Sequence, residues 1–549
     1  MKGIYLIFLF AAIASFGQNA SLEVETGPQM TNAQNEIVEG IVLVEGGIPL
    51  DKVHKERGVS IDLNGNFEDL KQSLIELLDT DLNDDFISLA KQKIVSYFRQ
   101  YKQQYVFVVV PVQEIREGII VLQVIEGRIG EISFIGQKWF SENGLRRLSR
   151  ICEEDPLSED TLLNELSWFN KNPFRSTQLV LAKGQEKGLT NIEFITKDRF
   201  PARFYVGADN TGFQVNEEAR VFGGASWGNA FMMGDILSYQ YTASPDFHHF
   251  QSHVVNYSMF LPWKHLFNVF GCYGQVYPKI SPFTTSGISV QASARYQVPI
   301  LPMYGKFKSS YEAGFDYKLL NSNLFFAGDV FQEGVSNSGY ITVTQFLASY
   351  SLQRNWIQSV FNFKADCYFS IWENWWLPHQ TPDAYDDLRQ GSHVRYAYWK
   401  ALLVYQYETK NKWALLTRFR GQVATGTLPT TEQFGLGGAD TVRGYYEQQF
   451  VADNAVCCNA ELYTPPFPIF CRYKNQLAFL TFIDYGYGYN YTSAAGPQFT
   501  KQNLLGVGTG LRYDIPPYMN LKADYGFQVF GIPQDHRFGR FHLSLVVSY

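Results

Sequence analysis

From Ala202 to Tyr549 the chain has no helical period and reads as about sixteen alternating segments of roughly ten residues, the length a tilted strand needs to cross a bilayer. The last is the cleanest: Phe541, Leu543, Leu545, Val547 and Tyr549 share one face, with His542, Ser544, Val546 and Ser548 on the other. Segment 287–297 behaves alike, with Ser289, Gln291, Ser293, Arg295 and Gln297 opposite Ile288, Val290, Ala292, Ala294 and Tyr296. The connections constrain the fold further. Long gaps at 210–219, 244–252, 277–286, 318–339, 369–396, 422–454, 489–502 and 530–539 alternate with short ones at 228–234, 262–265, 298–305, 352–356, 407–411, 464–476 and 515–519. That alternation is expected of an antiparallel transmembrane β-barrel with long exterior loops and short turns, and a soluble sandwich or propeller has no reason for it.

The preceding third switches between strand and helix patterns twice. A strand at 37–44 is followed by Phe67, Leu70, Leu74, Leu77 and Leu78 at helical spacing. Phe86, Ala90, Ile94, Tyr97 and Tyr101 repeat that spacing behind an N-cap at Asn83, and strands at 105–112 and 119–125 close a βααββ unit. The unit recurs, with a strand at 129–135, helices near 142–151 and 158–170, and strands at 177–182 and 191–195. Asn172-Pro173-Phe174 ends the last helix. A small sheet with two helices offers an exposed edge for strand addition, although plain spacers are an alternative use for such modules.

Lys2, the apolar run 4–14 and Ser15-Phe16-Gly17 have the layout of an export signal, with cleavage expected after Gly17. Its apolar part is too short for a membrane anchor, and later apolar runs are strand-sized. Composition excludes other classes. The chain has 44 Phe, 34 Tyr and 10 Trp, yet its net charge of −7 supplies no basic surface for nucleic acid. Cys152, Cys272, Cys367, Cys457, Cys458 and Cys471 lack the spacing of a metal or redox site. Cys457 and Cys458 adjoin on a strand and point to opposite faces, while the sequence leaves other pairings open.

The long gap 422–454 contains Phe434-Gly435-Leu436-Gly437-Gly438-Ala439-Asp440-Thr441-Val442-Arg443-Gly444-Tyr445, four glycines and a lone arginine between two aromatics. A loop this long is functional or disordered, and its glycines suit close approach to a surface. On segment 477–488, Phe482, Asp484 and Gly486 share a face opposite Phe479, Ile483, Tyr485 and Tyr487. A lipid-facing aspartate would be costly, so Asp484 is assigned to the lumen, where Arg443 is a candidate partner. The bland reading, a solvated Arg443 and a pore-lining Asp484, stands beside it. Gly506-Val507-Gly508-Thr509-Gly510 lacks the following helix and Lys-Ser/Thr of a nucleotide loop and reads as barrel glycine. His248, His249 and His253 have no supporting ligand spacing, so no metal site is assigned. Trp372, Trp375 and Trp376 read as an interfacial girdle. No Ser/His/Asp set stands in a catalytic context, so no catalytic residue and no cofactor are assigned.

Ile125-Glu126-Gly127-Arg128-Ile129, Asn172-Pro173-Phe174-Arg175, Asp209-Asn210-Thr211-Gly212, Val442-Arg443-Gly444-Tyr445 and Phe482-x-Asp484-x-Gly486, in this order along the chain, resemble the outer-membrane transporters of two-partner secretion, the hemolysin secretion/activation proteins. The resemblance implies two polypeptide-transport-associated (POTRA) domains in the periplasm, at 37–127 and 128–199, after a signal peptide at 1–17 and a linker at 18–36. It implies a sixteen-stranded barrel over 200–549, with the sixth loop folded inward so that Arg443 meets Asp484. The outward face of the last strand, Phe541 to Tyr549, would be the signal read by the barrel-assembly machinery. Members often carry an N-terminal plug helix, for which 18–36 lacks an amphipathic period. The implied function is energy-independent translocation, across the outer membrane of a diderm bacterium, of an unfolded client with an N-terminal secretion domain. The transporter is expected to be a lipid-embedded monomer without affinity for nucleic acid. A barrel-assembly insertase and a passive diffusion porin are the alternatives.

Overall fold

A computed structural model describes residues 37–549, apart from 103–104, 114, 116, 187, 214–216, 278, 281–282, 301–306, 327–328, 331–339, 372–376, 378–379, 471–473, 492–499 and 533–536. The export signal, the linker, Cys471 and the tryptophans 372, 375 and 376 lie outside the described residues.

The chain divides into two compact units. The first contains a four-stranded sheet of β1 (Gly40–Glu45), β2 (Gly58–Asp62), β3 (Val106–Val109) and β4 (Ile119–Glu126), in the order β2-β1-β4-β3. β1 runs parallel to β2 and β4, whereas β3 is antiparallel to β4. Helices α1 (Glu68–Ile75) and α2 (Asp84–Tyr97) supply Leu70, Leu74, Phe86, Ala90 and Ile94 to its core. Asn83 caps α2 by accepting the Phe86 N–H at 2.8 Å, as its residue type predicts. β2 is an addition to the expected βααββ order: Gly58-Val59-Ser60-Ile61-Asp62 is a short alternating segment that pairs with β1.

The second α/β module keeps the expected order: β5 (Arg128–Ile135), α3 (Glu142–Leu148), α4 (Glu159–Phe169), β6 (Arg175–Lys183) and β7 (Leu189–Asp198), with sheet order β5-β7-β6. The boundary between the compact units runs through it, and its second-unit part is built around Phe134, Phe169 and Phe194, whose ring centroids are 5.0–5.7 Å apart. Asn172 accepts the Phe174 N–H and donates to the Gly228 and Gly234 carbonyls, which ties the Asn-Pro-Phe turn to the first short turn of the barrel.

The barrel closes on itself with sixteen principal strands. They are β8 (Ala202–Asp209), β9 (Arg220–Ala230), β10 (Asp235–Ala243), β11 (Phe250–Phe260), β12 (Leu266–Val276), β13 (Phe283–Ile300), β14 (Lys308–Phe326) and β15 (Tyr340–Asn355) in the first half. The second half comprises β16 (Ser359–Ser370), β17 (Tyr396–Glu408), β18 (Ala414–Ala424), β19 (Asn454–Tyr463), β20 (Gln476–Tyr489), β21 (Lys501–Ile515), β22 (Met519–Gln528) and β23 (Gly539–Ser548). Closure satisfies the backbone groups that an open edge would expose to lipid. The exterior connections are the longer set taken together, with the parity read from the sequence, although 301–307 and 464–475 are each slightly longer than an exterior neighbour, 277–282 and 490–500. At the seam, β23 pairs with β8 over 544–548 and 205–209, and the Asn210 side chain extends this pairing to the Phe541 carbonyl and the Leu543 N–H.

Strand parity separates the two faces. Phe541, Leu543, Leu545 and Val547 point outward while His542 is buried inside. Phe479, Ile483 and Tyr485 point outward, whereas Phe482 and Asp484 are buried in the lumen. Polar groups face the interior of such a barrel and apolar groups face lipid, so one alternating sequence satisfies both solvents.

Candidate functional site: loop six in the barrel lumen

The connection from β18 to β19, residues 425–453, does not project away from the barrel. Its arms pair briefly, 434–436 against 450–452, and its tip lies against the inner wall formed by β19 to β22. The glycine-rich segment is a compact turn: Gly438 N–H donates to the Val442 carbonyl at 3.1 Å, and the Thr441 hydroxyl donates to the Gly437 carbonyl at 2.8 Å. Gly444 has φ +97°, a left-handed backbone in which a side chain is strained, and a Cβ there would lie 3.0 Å from the Gly526 carbonyl oxygen. Wall residues make room in the same way. A Cβ on Gly506 would lie 2.0 Å from the Arg443 carbonyl oxygen, and one on Gly486 would press on Val442. Of the glycines at 506–510, Gly506 thus belongs to the seat for the loop, while Gly508 and Gly510 make room for Phe482 and Asp524.

Arg443 is buried and meets three carboxylates. Its Nε and Nη2 donate to the two oxygens of Asp484 at 2.7 and 2.9 Å, and its backbone N–H donates to Asp484 Oδ2 at 3.1 Å. Nη2 also lies 2.9 Å from Glu461 Oε1, and Nη1 donates to Asp524 Oδ2 at 3.2 Å. The guanidinium carbon sits 3.5 Å from the Phe482 ring centroid, so the aromatic of the Phe482-x-Asp484-x-Gly486 segment covers the face left open by the hydrogen bonds. Tyr445, fully buried, donates to the Leu505 and Phe530 carbonyls, and Gly444 N–H donates to His542 Nε2. Val442, Arg443, Gly444 and Tyr445 are all brought against the wall that carries Phe482, Asp484 and Gly486.

A buried carboxylate is costly unless it is paired and hydrogen-bonded, and each one here has a second partner. Arg512 binds both oxygens of Asp524, at 2.5 and 2.8 Å. Arg418 donates to Glu461 at 3.1 Å, Tyr463 donates to the other Glu461 oxygen, and Asn459 donates to Asp484 Oδ1 at 2.8 Å. Three guanidiniums thus face three carboxylates. Glu461, Asp524, Arg418 and Arg512 were not singled out from the sequence, although each has inward parity on its strand, the signal that located Asp484. The cluster has the chemistry of a lock: it offers no nucleophile and holds a loop against a wall.

His248 and His249 in the second exterior connection, and His253 on β11, have ordinary structural partners. Asp246 accepts the backbone N–H groups of His248 and His249, the Ser244 hydroxyl and the His249 ring, which makes it the cap of a turn. Glu217 lies near Asp246 and His249. His248 stacks on Tyr277, and His253 accepts or donates at Tyr239 according to its tautomer. The five described cysteines are free, with Cys457 buried and its neighbour Cys458 exposed.

A closed outer-membrane barrel with an exterior loop locked in its lumen, preceded by POTRA modules, defines a class: outer-membrane transporters that pass a partner protein. Residues 337–513, which include loop six and the strands that carry Glu461 and Asp484, match the family model described as haemolysin secretion/activation protein ShlB/FhaC/HecB. The heme/hemopexin transporter protein HuxB of Haemophilus influenzae strain 86-028NP is 24% identical, with 78% of this chain and 74% of that protein covered. Among solved structures, CdiB from Escherichia coli superposes with a TM-score of 0.74 at 16% identity, over 95% of this chain and 93% of that one. CdiB from Acinetobacter baumannii gives 0.65 at 18% identity, over 93% and 90%. BamA from Haemophilus ducreyi, lacking POTRA domains 1–3, gives 0.50 at 15% identity, over 89% and 98%. Over residues 337–513 the chain is similar to the haemolysin secretion/activation family, and over most of its length to outer-membrane transporters; sequence and fold together are those of an outer-membrane, two-partner secretion transporter acting with a secreted exoprotein.

Proposed function

We propose that loop six is the regulated element of a protein conduit, with Arg443 as its lock, and that the POTRA domains at 37–127 and 128–199 deliver an extended client to it. The observation that carries this reading is the balanced cluster around Arg443. A long connection that enters the lumen and is held there by three carboxylates occupies space that a passing chain needs, so passage and the position of this loop are linked. The POTRA sheets leave β2, β3, β5 and β6 at their edges, where an extended segment can add by main-chain hydrogen bonds. In this reading the client has an N-terminal secretion domain, crosses unfolded and draws on no catalytic residue or cofactor of the transporter. The transporter is a monomer in lipid, inserted by the barrel-assembly machinery through the outward face Phe541, Leu543, Leu545, Val547 and Tyr549.

The test is deletion of the gene followed by complementation. Loss of one large exoprotein from the medium, restored by the wild type and not by Arg443→Ala present at equal level in the outer membrane, supports the reading. A general fall in outer-membrane proteins would favour the insertase, and lost solute uptake with unaltered secretion would favour the porin.

A further inference from the structure

Residues 380–395 of the fifth exterior connection also pack inside the barrel. Thr381 caps helix α5 (Pro382–Leu388) by accepting the Ala384 N–H, and Pro382 at its start suits the first helical position. Tyr385 is fully buried among Ile341, Val343, Tyr396, Tyr398 and Leu428, and its hydroxyl donates to the Thr342 carbonyl at 2.8 Å. At the C-terminal end of this helix Arg389 reaches loop six. It donates to both oxygens of Asp453 at 2.5 and 2.8 Å, to the Leu428 carbonyl at 2.5 Å and to Asn490 Oδ1 at 3.2 Å.

Leu428 and Asp453 stand at opposite ends of loop six, one just after β18 and the other just before β19. One guanidinium therefore ties together the two arms of the loop at its neck. Asp453 is fully buried, and its carboxylate also accepts the Leu428 and Tyr491 N–H groups. The descending arm is tied a second time through Glu432, which receives Lys318 at 2.6 Å, the Tyr398 hydroxyl at 2.6 Å and Gln345 at 3.2 Å. None of these residues belongs to the cluster around Arg443.

We propose that Arg389 is a positioning residue for loop six, a second lock that fixes the neck from loop five while Arg443 fixes the tip. Displacing loop six then requires that α5 release it, so a client that clears the lumen must break both contacts. This inference rests on the reading of loop six as the regulated element of the conduit.

The test uses purified full-length protein in planar bilayers without client, with the heat-modifiable gel shift confirming a folded barrel. Arg389→Ala is expected to raise the frequency of large openings about tenfold or more, and the charge-swapped pair Arg389→Glu with Asp453→Arg to return it most of the way. Asp453→Asn, which keeps the shape of the side chain and removes the charge, serves where Arg389→Ala fails to fold and is expected to raise openings likewise. Wild-type conductance in a folded Arg389→Ala or Asp453→Asn barrel overturns the proposal, as does a rise that the swapped pair leaves undiminished. Because no client is present, failure of the translocation reading leaves this outcome unaffected.

Discussion

The tip and the neck of loop six are each held by an arginine, but in different kinds of site. At the tip, Arg443 enters a socket whose carboxylates stand on three separate strands, β19, β20 and β22, and whose other ligands come from the same wall. At the neck, Arg389 is itself on a loop and clasps another loop. The socket is preorganised by barrel hydrogen bonds whether or not the arginine is present, whereas the clasp exists only while both connections keep their conformation. The difference suggests a division of labour: the tip site stores most of the holding energy, and the neck site makes release depend on a second element.

The largest effect is expected from Arg443→Ala, which leaves three buried carboxylates facing two arginines. Breaking a buried pair in this way costs about 3–5 kcal/mol, and because a loop that cannot reseat no longer offers the gate-ready state that a client engages, secretion should fall ~10-fold or more at equal barrel abundance. Arg443→Lys should rescue only in part, because an ammonium cannot bind Asp484 through two parallel donors and lie flat on Phe482. Arg389→Ala should cost less, about 1.5–3 kcal/mol, since the Asp453 carboxylate keeps its two backbone donors. Combining the two variants sharpens the comparison. Independent locks predict that effects on open frequency multiply, while a coupling beyond about 0.5 kcal/mol would show that tip and neck move as one. Glu461→Gln should weaken the tip by about 1–2 kcal/mol, read as greater protease access to loop six, because Arg443 and Arg418 lose one charged acceptor and keep others or a neutral one. The smallest effect is expected from Tyr385→Phe, which removes the bond to the Thr342 carbonyl for about 1 kcal/mol and leaves the packing of α5 in place, measured by urea titration of the folded barrel.

What the sequence made legible follows the same division. Strand parity alone put Asp484 in the lumen because a charge on one face of an alternating strand has a single affordable orientation. Applied to Asn454–Tyr463 and Met519–Gln528, the same rule points Glu461 and Asp524 inward, so most of the tip socket was readable in principle. The clasp was not. Arg389 and Asp453 lie on loops without a period, and their meeting depends on how two long connections fold inside a closed wall. β2 escaped for a local reason, as Val59 and Ile61 are too short an alternation to stand out between turn residues. Asn83, the order of the second α/β module and the alternation of loop lengths were legible because capping, helical spacing and bilayer thickness each leave a direct pattern in the chain.

The most direct test of the account is to fix the tip where the structure places it. In a cysteine-free background, Val442→Cys is paired with Gly486→Cys, where a Cβ built on Gly486 lies 2.8 Å from a Val442 methyl carbon, about the distance between one Cβ and the far sulfur of a disulfide. The account predicts that the disulfide forms in intact cells, stops secretion of the client and releases it on addition of reductant. Failure to form the bond in a folded barrel, or normal secretion with the bond fully formed, would contradict it.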